Sequence, residues 1–259
     1  MIPDSAKPKV LVAVPCMGWI HTSVVLALLK IQQDKRFLGR IFFFTGKPTE
    51  DNMNKACKLC VDQGFDYLIS IDDDNAPVHS PLDLVFLDKD IVGLPTPVWM
   101  GGKTQPWWLN AMVRNGPEEG AGWKPYLPEK PGELCEVDAV GAGCIVIARR
   151  VLEKVKAPFN RKWSEDGIQE VGLDFNFCRR SKEAGFEVWA HYGYPCNHIK
   201  ELSLGEMASS MRHVFEVHSG IDMETLKPLE KKEKQETKGE SSLRDNKWPV
   251  PKVREVVSP

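Results

Sequence analysis

Three consecutive carboxylates, Asp72, Asp73 and Asp74, follow directly on the apolar run YLISI (Tyr67 to Ile71). Residues two apart in extended chain project to the same side, so Asp72 and Asp74 are expected to face one point. Two hard oxygen donors placed that way suit Mg²⁺ or Mn²⁺, which take one or two carboxylates together with phosphate oxygens and water. Asp73 is expected to point the other way and satisfy backbone donors. Without a cation, three adjacent carboxylates repel one another and raise their own pKa values. The alternative reading is a solvated acidic turn that caps the next segment, and the buried strand immediately before the triplet argues against it.

Other residues have chemistry to offer, each with a plainer reading beside it. Gly141 and Gly143 permit close backbone approach to a ligand, or simply form a tight turn. Trp99, Trp107, Trp108 and Trp123 present flat faces that stack on sugars or bases, although some of them must belong to the core. Lys103, Arg149 and Arg150 could meet phosphate; Arg149 and Arg150, leading a helix, equally read as a solvated face. Asp174 stands near a helix start, where aspartate is favoured as a cap. Cys57 and Cys60 form a lone C-x-x-C with no second pair to complete a zinc site. The seven cysteines follow no ladder of spacings and read as reduced thiols acting as small core residues.

The elements that must position these groups alternate. Val10 to Val14 (VLVAV) is a β-branched run of the kind buried on both faces of a sheet. Residues Ser23 to Gln32 carry apolar side chains at helical spacing, and Arg40 to Phe44 is a second strand. A helix from Thr49 to about Gln63, closed by Gly64, leads to the third strand, Tyr67 to Ile71. Strand, helix, strand, helix, strand at this spacing gives right-handed βαβ units on a parallel sheet. Ligands of such sheets sit at the carboxyl ends of the strands, where the acidic triplet falls. Farther on, Asp90 to Leu94 is a short strand, and Pro95 to Pro131 reads as a long loop rich in Pro, Gly and Trp. Val137 to Ala148 is strand, glycine turn and strand. Helices over Arg149 to Val155 and Asp174 to Ala184 and a late strand from Phe186 to Ala190 complete the pattern.

Residues 1–224 are expected to form the folded domain, and 225–259 a polar, flexible tail. The formal net charge of -2 excludes a whole-protein field that would draw the chain onto nucleic acid or anionic lipid. The amino-terminal residues show no signal-peptide pattern, and no apolar run is long enough to span a membrane, so a cytoplasmic location is expected.

The order of these segments resembles the GT-A glycosyltransferases. YLISIDDDNAP is similar to their D-x-D strand end, and VAVPCMGWIHTSV to their first strand and base-holding loop. TEDNMNKACKLCVDQGF resembles the helix that leads into the acidic motif, and VDAVGAGCIVIARRVLEKV the glycine turn that lines the sugar and acceptor cleft. GLDFNFCRRSKEAGFEVW resembles the segment written in the family as Glu-Asp, an aromatic-rich helix and Ala-Gly-Phe, with Leu173 in place of the glutamate. YPCNHIK ends with a histidine where many members hold metal. The resemblance spans roughly residues 8 to 205.

It implies a Rossmann-like GT-A fold, a nucleoside-diphosphate sugar as donor, and Mn²⁺ or Mg²⁺. It places Pro15 and Asp73 against the nucleotide, Asp72 on ribose or metal, and Asp74 and His198 on metal, with His191 as the weaker alternative to His198. Gly141 and Gly143 line the ligand cleft. Asp174 would take the proton of an attacking hydroxyl if the anomeric centre inverts, with Glu165 and Asp166 as rivals. A glycan, a small molecule or a modified base in nucleic acid could be the acceptor, the last because a Trp-rich loop suits an extruded base. Nucleotidyl transfer, the alternative on a related architecture, usually brings a Gly-rich, basic loop after the first strand; PCMGWIHTS has one glycine and no Lys or Arg. A nucleic-acid-binding module draws support from the nine Lys/Arg against six Asp/Glu between Lys227 and Pro259. Glycoside hydrolysis would need paired carboxylates flanking a sugar and no metal.

Overall fold

The structure, a computed structural model, describes residues 6–99, 107–116, 122–201 and 204–219. Chain contacts divide it into two units, Met1–Val214 and Phe215–Pro259. The first unit opens with β1 (Lys9–Pro15), α1 (Thr22–Gln33), β2 (Leu38–Phe44), α2 (Thr49–Asp62) and β3 (Tyr67–Ile71). Then come β4 (Asn75–Pro77), a 3-10 helix (Pro81–Leu87) and β5 (Ile91–Gly93). The stretch expected to be one long loop instead holds four short strands, β6 (Pro97–Trp99), β7 (Trp107–Leu109), β8 (Ala111–Arg114) and β9 (Trp123–Pro125). The chain continues through β10 (Leu134–Glu136), β11 (Ala139–Val140), β12 (Cys144–Ala148) and α3 (Arg149–Lys154). It ends, as described, with β13 (Lys162–Trp163), β14 (Gln169–Val171), α4 (Leu173–Glu183), β15 (Val188–His191), β16 (Cys196–His198) and α5 (Leu204–Ser219). The last helix lies beyond the elements read from the sequence.

The central sheet has seven strands in the order β10-β15-β5-β12-β3-β1-β2. All but β10 and β12 run the same way. This is the expected α/β class with a mostly parallel sheet, and the βαβ units lie where the sequence pattern puts them. The inner strands β1, β3, β5 and β12 are buried on both sides because both faces are covered. Along β1, Val10, Val12 and Val14 join one buried cluster and Leu11 and Ala13 the other. On β12, Val146 and Ile147 divide in the same way. Buried residues of α1 (Val24, Leu28, Ile31) and of the 3-10 helix cover the first face. Those of α2 (Met53, Ala56, Cys57, Cys60), α3 and α4 cover the second.

This arrangement fixes the site. The crossover through α1 leaves β1 for β2 on one face, and the crossover through α2 returns past β1 to β3 on the other. The two connections diverge at the carboxyl ends of β1 and β3 and open a crevice there, as at the switch point of any doubly wound sheet. Pro15 ends β1, and Asp72 follows the last residue of β3.

Candidate functional site

The acidic triplet is a turn whose main chain is pinned on all sides. Asp72 N–H donates to the Gly143 carbonyl at 2.9 Å, and the carbonyls of Asp72, Asp73 and Asp74 accept from Asn75, His21 and Ile199 at 3.2, 2.9 and 2.9 Å. The three side chains therefore stand in positions set by β12, by the start of α1 and by the residue after β16. All three line one recess of about 200 Å³, with Pro15, Cys16 and Met17 on the β1 side and His198 and Lys200 opposite. Asp73 was expected to point away; it shares the recess and accepts from Met17 N–H at 3.3 Å, holding the loop after β1 against the triplet.

A second cavity of about 320 Å³ opens beside the first and shares Thr49, Asp72 and His198 with it. Its further wall includes Asn75, Asn110, Gly143, Arg161 and Asp174. A larger cavity, about 660 Å³, lies at the amino ends of β1 and β2 around Lys9, Phe37 and Arg40. Size does not make it the site, since the carboxylate on its wall, Asp34, is held by Arg36 at 2.6 Å.

Electrostatics single out the same group. Burial, and then the charges of Asp74, Asp73 and Asp174, push the Asp72 carboxyl up to about 8, with Lys200 acting in the opposite direction. Part of the Asp72 surface still opens into the cavities, so the group is recessed without being sealed. Burial also raises Asp73 and Asp174. Four carboxyl groups crowded in this way call for a positive counter-charge.

Asp174 sits in the first turn of α4, where the helix dipole favours an anion. It is not the cap, which is Gly172; its Oδ1 accepts from Phe175 N–H at 2.9 Å. The helix is fixed from beneath by the stacked rings of Phe159 and Phe177, 4.6 Å apart and fully buried. The rivals Glu165 and Asp166 are exposed in the turn between β13 and β14 and line neither of the two cavities.

His198 is held in one orientation. Its Nδ1 lies 2.8 Å from the Pro97 carbonyl, which can only accept, so Nδ1 carries the hydrogen. In the neutral ring Nε2 then directs a lone pair towards Asp74 Oδ2, 3.7 Å away and too far for a hydrogen bond. Metal-binding histidines are commonly anchored in this way, the second ring nitrogen donating to a carbonyl. His191 instead packs edge-on against Tyr194 and accepts from Gly193 N–H.

Among the described residues, no three His, Cys, Asp or Glu side chains already converge as a preformed metal site. The recess also holds Lys200, which the sequence reading missed. Its ammonium is bonded to Asp74 Oδ2, the oxygen nearest His198. The donor set nevertheless fits a hard divalent cation: two carboxylates, one oriented imidazole and a surplus of negative charge.

The remaining expectations divide. A Cβ on Gly141 would stand 1.8 Å from Asn110 Nδ2, and one on Gly143 2.1 Å from Asn75 Nδ2. Asparagine side chains thus occupy the space over both glycines. Gly143 still borders the larger cavity, whereas Gly141 is absent from its wall. Trp108 and Trp123 pack against the core, Trp123 beside Phe175 at 5.1 Å. The side chains of Trp99 and Trp107, and Lys103 altogether, lie outside the described residues. Arg149 pairs with Glu153, and Arg150 with Asp88 and Asp90, on the surface. All seven cysteines are free and buried. Among the described residues no helix is long and apolar enough to cross a membrane.

Fold and recess together define a mixed α/β protein with an acidic crevice at its strand ends. No protein-family model matches the sequence, and no curated protein matches it. Among solved structures, A197 from STIV is similar with a TM-score of 0.50 at 18% identity, over 74% of this chain and 86% of that one. At that identity the likeness is one of fold. GalNAc-T7 with UDP, GalNAc and Mn²⁺ aligns with a TM-score of 0.46 at 15% identity, over 82% of this chain and 48% of that one. For UDP-glucose pyrophosphorylase complexed with UDP-glucose the score is 0.42 at 9% identity, over 82% and 99%.

Proposed function

We propose that this chain is a glycosyltransferase of the GT-A type, which moves a sugar from a nucleoside-diphosphate sugar to an acceptor hydroxyl. The observation that carries the reading is the convergence of Asp72, Asp74, Asp174 and an oriented His198 on two adjoining recesses at the carboxyl ends of β1 and β3. Asp72, Asp74 and His198 would hold Mn²⁺ or Mg²⁺. When bound, that ion supplies positive charge against a diphosphate leaving group.

The protein's own groups do the rest. Pro15, Cys16 and Met17 form the wall against which the nucleotide lies, and Asp73 fixes that wall through Met17 N–H. The larger cavity, at the lower end of the small-molecule range, receives the sugar and the attacking hydroxyl. Asp174 takes the hydroxyl proton. Burial favours its neutral form, which makes its carboxylate a stronger base than an exposed one. The β1–α1 loop brings no Lys or Arg to this wall, which counts against nucleotidyl transfer.

Calorimetry with UDP and GDP, with and without Mn²⁺, tests the proposal. Wild type should bind nucleoside diphosphate only with the metal, and Asp74→Ala should lose that binding while its circular dichroism is unchanged. Metal-independent binding that survives in Asp74→Ala would end the proposal. A screen of nucleotide sugars for hydrolysis, read by mass spectrometry, identifies the donor.

A further inference from the structure

The contact between Lys200 and Asp74 leads beyond this reading and rests on it. We infer that Lys200 is a resident cation of the recess, one that occupies Asp74 while the site is empty, yields it to the divalent ion, and then pairs with the diphosphate.

Three observations carry the argument. The Asp74 oxygen bonded to the Lys200 ammonium is also the one 3.7 Å from His198 Nε2, so an ion shared by that oxygen and His198 competes with the ammonium for it. The two partners differ in freedom: the Asp74 side chain keeps 12% of its surface exposed and Lys200 keeps 50%. A long, half-exposed stem can swing on its single bonds, whereas a buried carboxylate cannot follow it. The main chain beneath the lysine is fixed, because Ile199 N–H donates to the Asp74 carbonyl at 2.9 Å and His198 pairs with Asn75 across β16 and β4. A displaced ammonium therefore stays at the rim of the recess, where the phosphate oxygens of a bound nucleotide would lie.

The consequence is a coupling with opposite signs for the two ligands. Lys200 opposes the ion when it comes alone and favours the nucleoside diphosphate that comes with it. Ion and nucleotide therefore assist each other, and by linkage the assistance is reciprocal.

Lys200→Gln separates the two effects. Mn²⁺ binding without nucleotide is followed by electron paramagnetic resonance of the free ion, and UDP and GDP binding at saturating Mn²⁺ by calorimetry. The variant should bind Mn²⁺ alone about tenfold more tightly, and the nucleoside diphosphate about tenfold more weakly, as expected for loss of a charge-assisted hydrogen bond at each stage. Lys200→Arg should stay close to wild type in both. A merely structural lysine would weaken both affinities or neither, and either result overturns the assignment. If wild type binds no Mn²⁺ either alone or with nucleoside diphosphate, or Asp74→Ala binds it equally well, the reading of the recess falls and the role of Lys200 with it. If wild type binds, Asp74→Ala does not, and Lys200→Gln matches wild type, only the Lys200 assignment falls.

Discussion

Gly143→Ala probes how tightly the triplet is built. Gly143 accepts from the Asp72 amide at 2.9 Å, and a methyl group on it would stand 2.1 Å from Asn75 Nδ2 and 2.8 Å from its Cγ. Both distances are far inside van der Waals contact, so Asn75 must move by more than an ångström or the β12 turn must back away. Asn75 cannot swing into solvent: it is 3% exposed and lies in β4 opposite His198. Forcing an extra methyl group into such packing costs about 1–3 kcal/mol. At roughly 2–4 °C per kcal/mol for a domain of this size, the melting temperature should fall by about 2–12 °C. Differential scanning calorimetry of wild type, Gly143→Ala, Asn75→Ala and the double variant measures it. Because the clash needs both partners, the double variant should be more stable than the sum of the single effects predicts, by about 0.5–3 kcal/mol. Mn²⁺ affinity should fall in Gly143→Ala, since Asn75 and His198 share a strand pair. A variant that melts at the wild-type temperature, or effects that simply add, would refute the argument.

Further outcomes follow from Asp174 and from the ring pair beneath it. Asp174→Asn should keep donor binding and lose about 10²- to 10⁴-fold in transfer rate; normal transfer would exclude Asp174 as the base. Because burial raises the Asp174 pKa, its carboxylate stays protonated to a higher pH than an exposed one, so kcat/KM should rise through a limb above the usual carboxylate range and level off beyond it. A limb at ordinary carboxylate pH would exclude Asp174. Phe177→Ala, removing one of two fully buried stacked rings, should cost about 3–5 kcal/mol in urea unfolding. Because α4 rests on that stack, transfer should fall while UDP affinity holds.

The βαβ half of the molecule and its acidic turn were legible in the sequence, for physical reasons. VLVAV and YLISI are continuous apolar runs because both faces of the sheet are covered, and the chain order leaves few places for the residues that follow them. The segment after Pro95 was not legible. Strands of three or four residues such as β6 and β7 are too short to show a period, and their pairing is set by contacts along the ribbon rather than by local pattern. The asparagines over Gly141 and Gly143 escaped for a similar reason, since each comes from a distant element and nothing near it in sequence announces the contact. Lys200 was different. It stands two residues after His198 in the quoted YPCNHIK segment, and the same alternation that pairs Asp72 with Asp74 could have flagged it. Two of the tryptophans read as possible stacking platforms, Trp108 and Trp123, proved to be packing residues, as large aromatic side chains often are.

The hydrogen bond from the His198 ring to the Pro97 carbonyl has a mechanical consequence. Pro97 opens the β6–β7 ribbon, so this bond ties the imidazole to the ribbon. A substitution that displaces the Pro97 carbonyl would remove the acceptor that fixes the tautomer of His198 and the aim of Nε2.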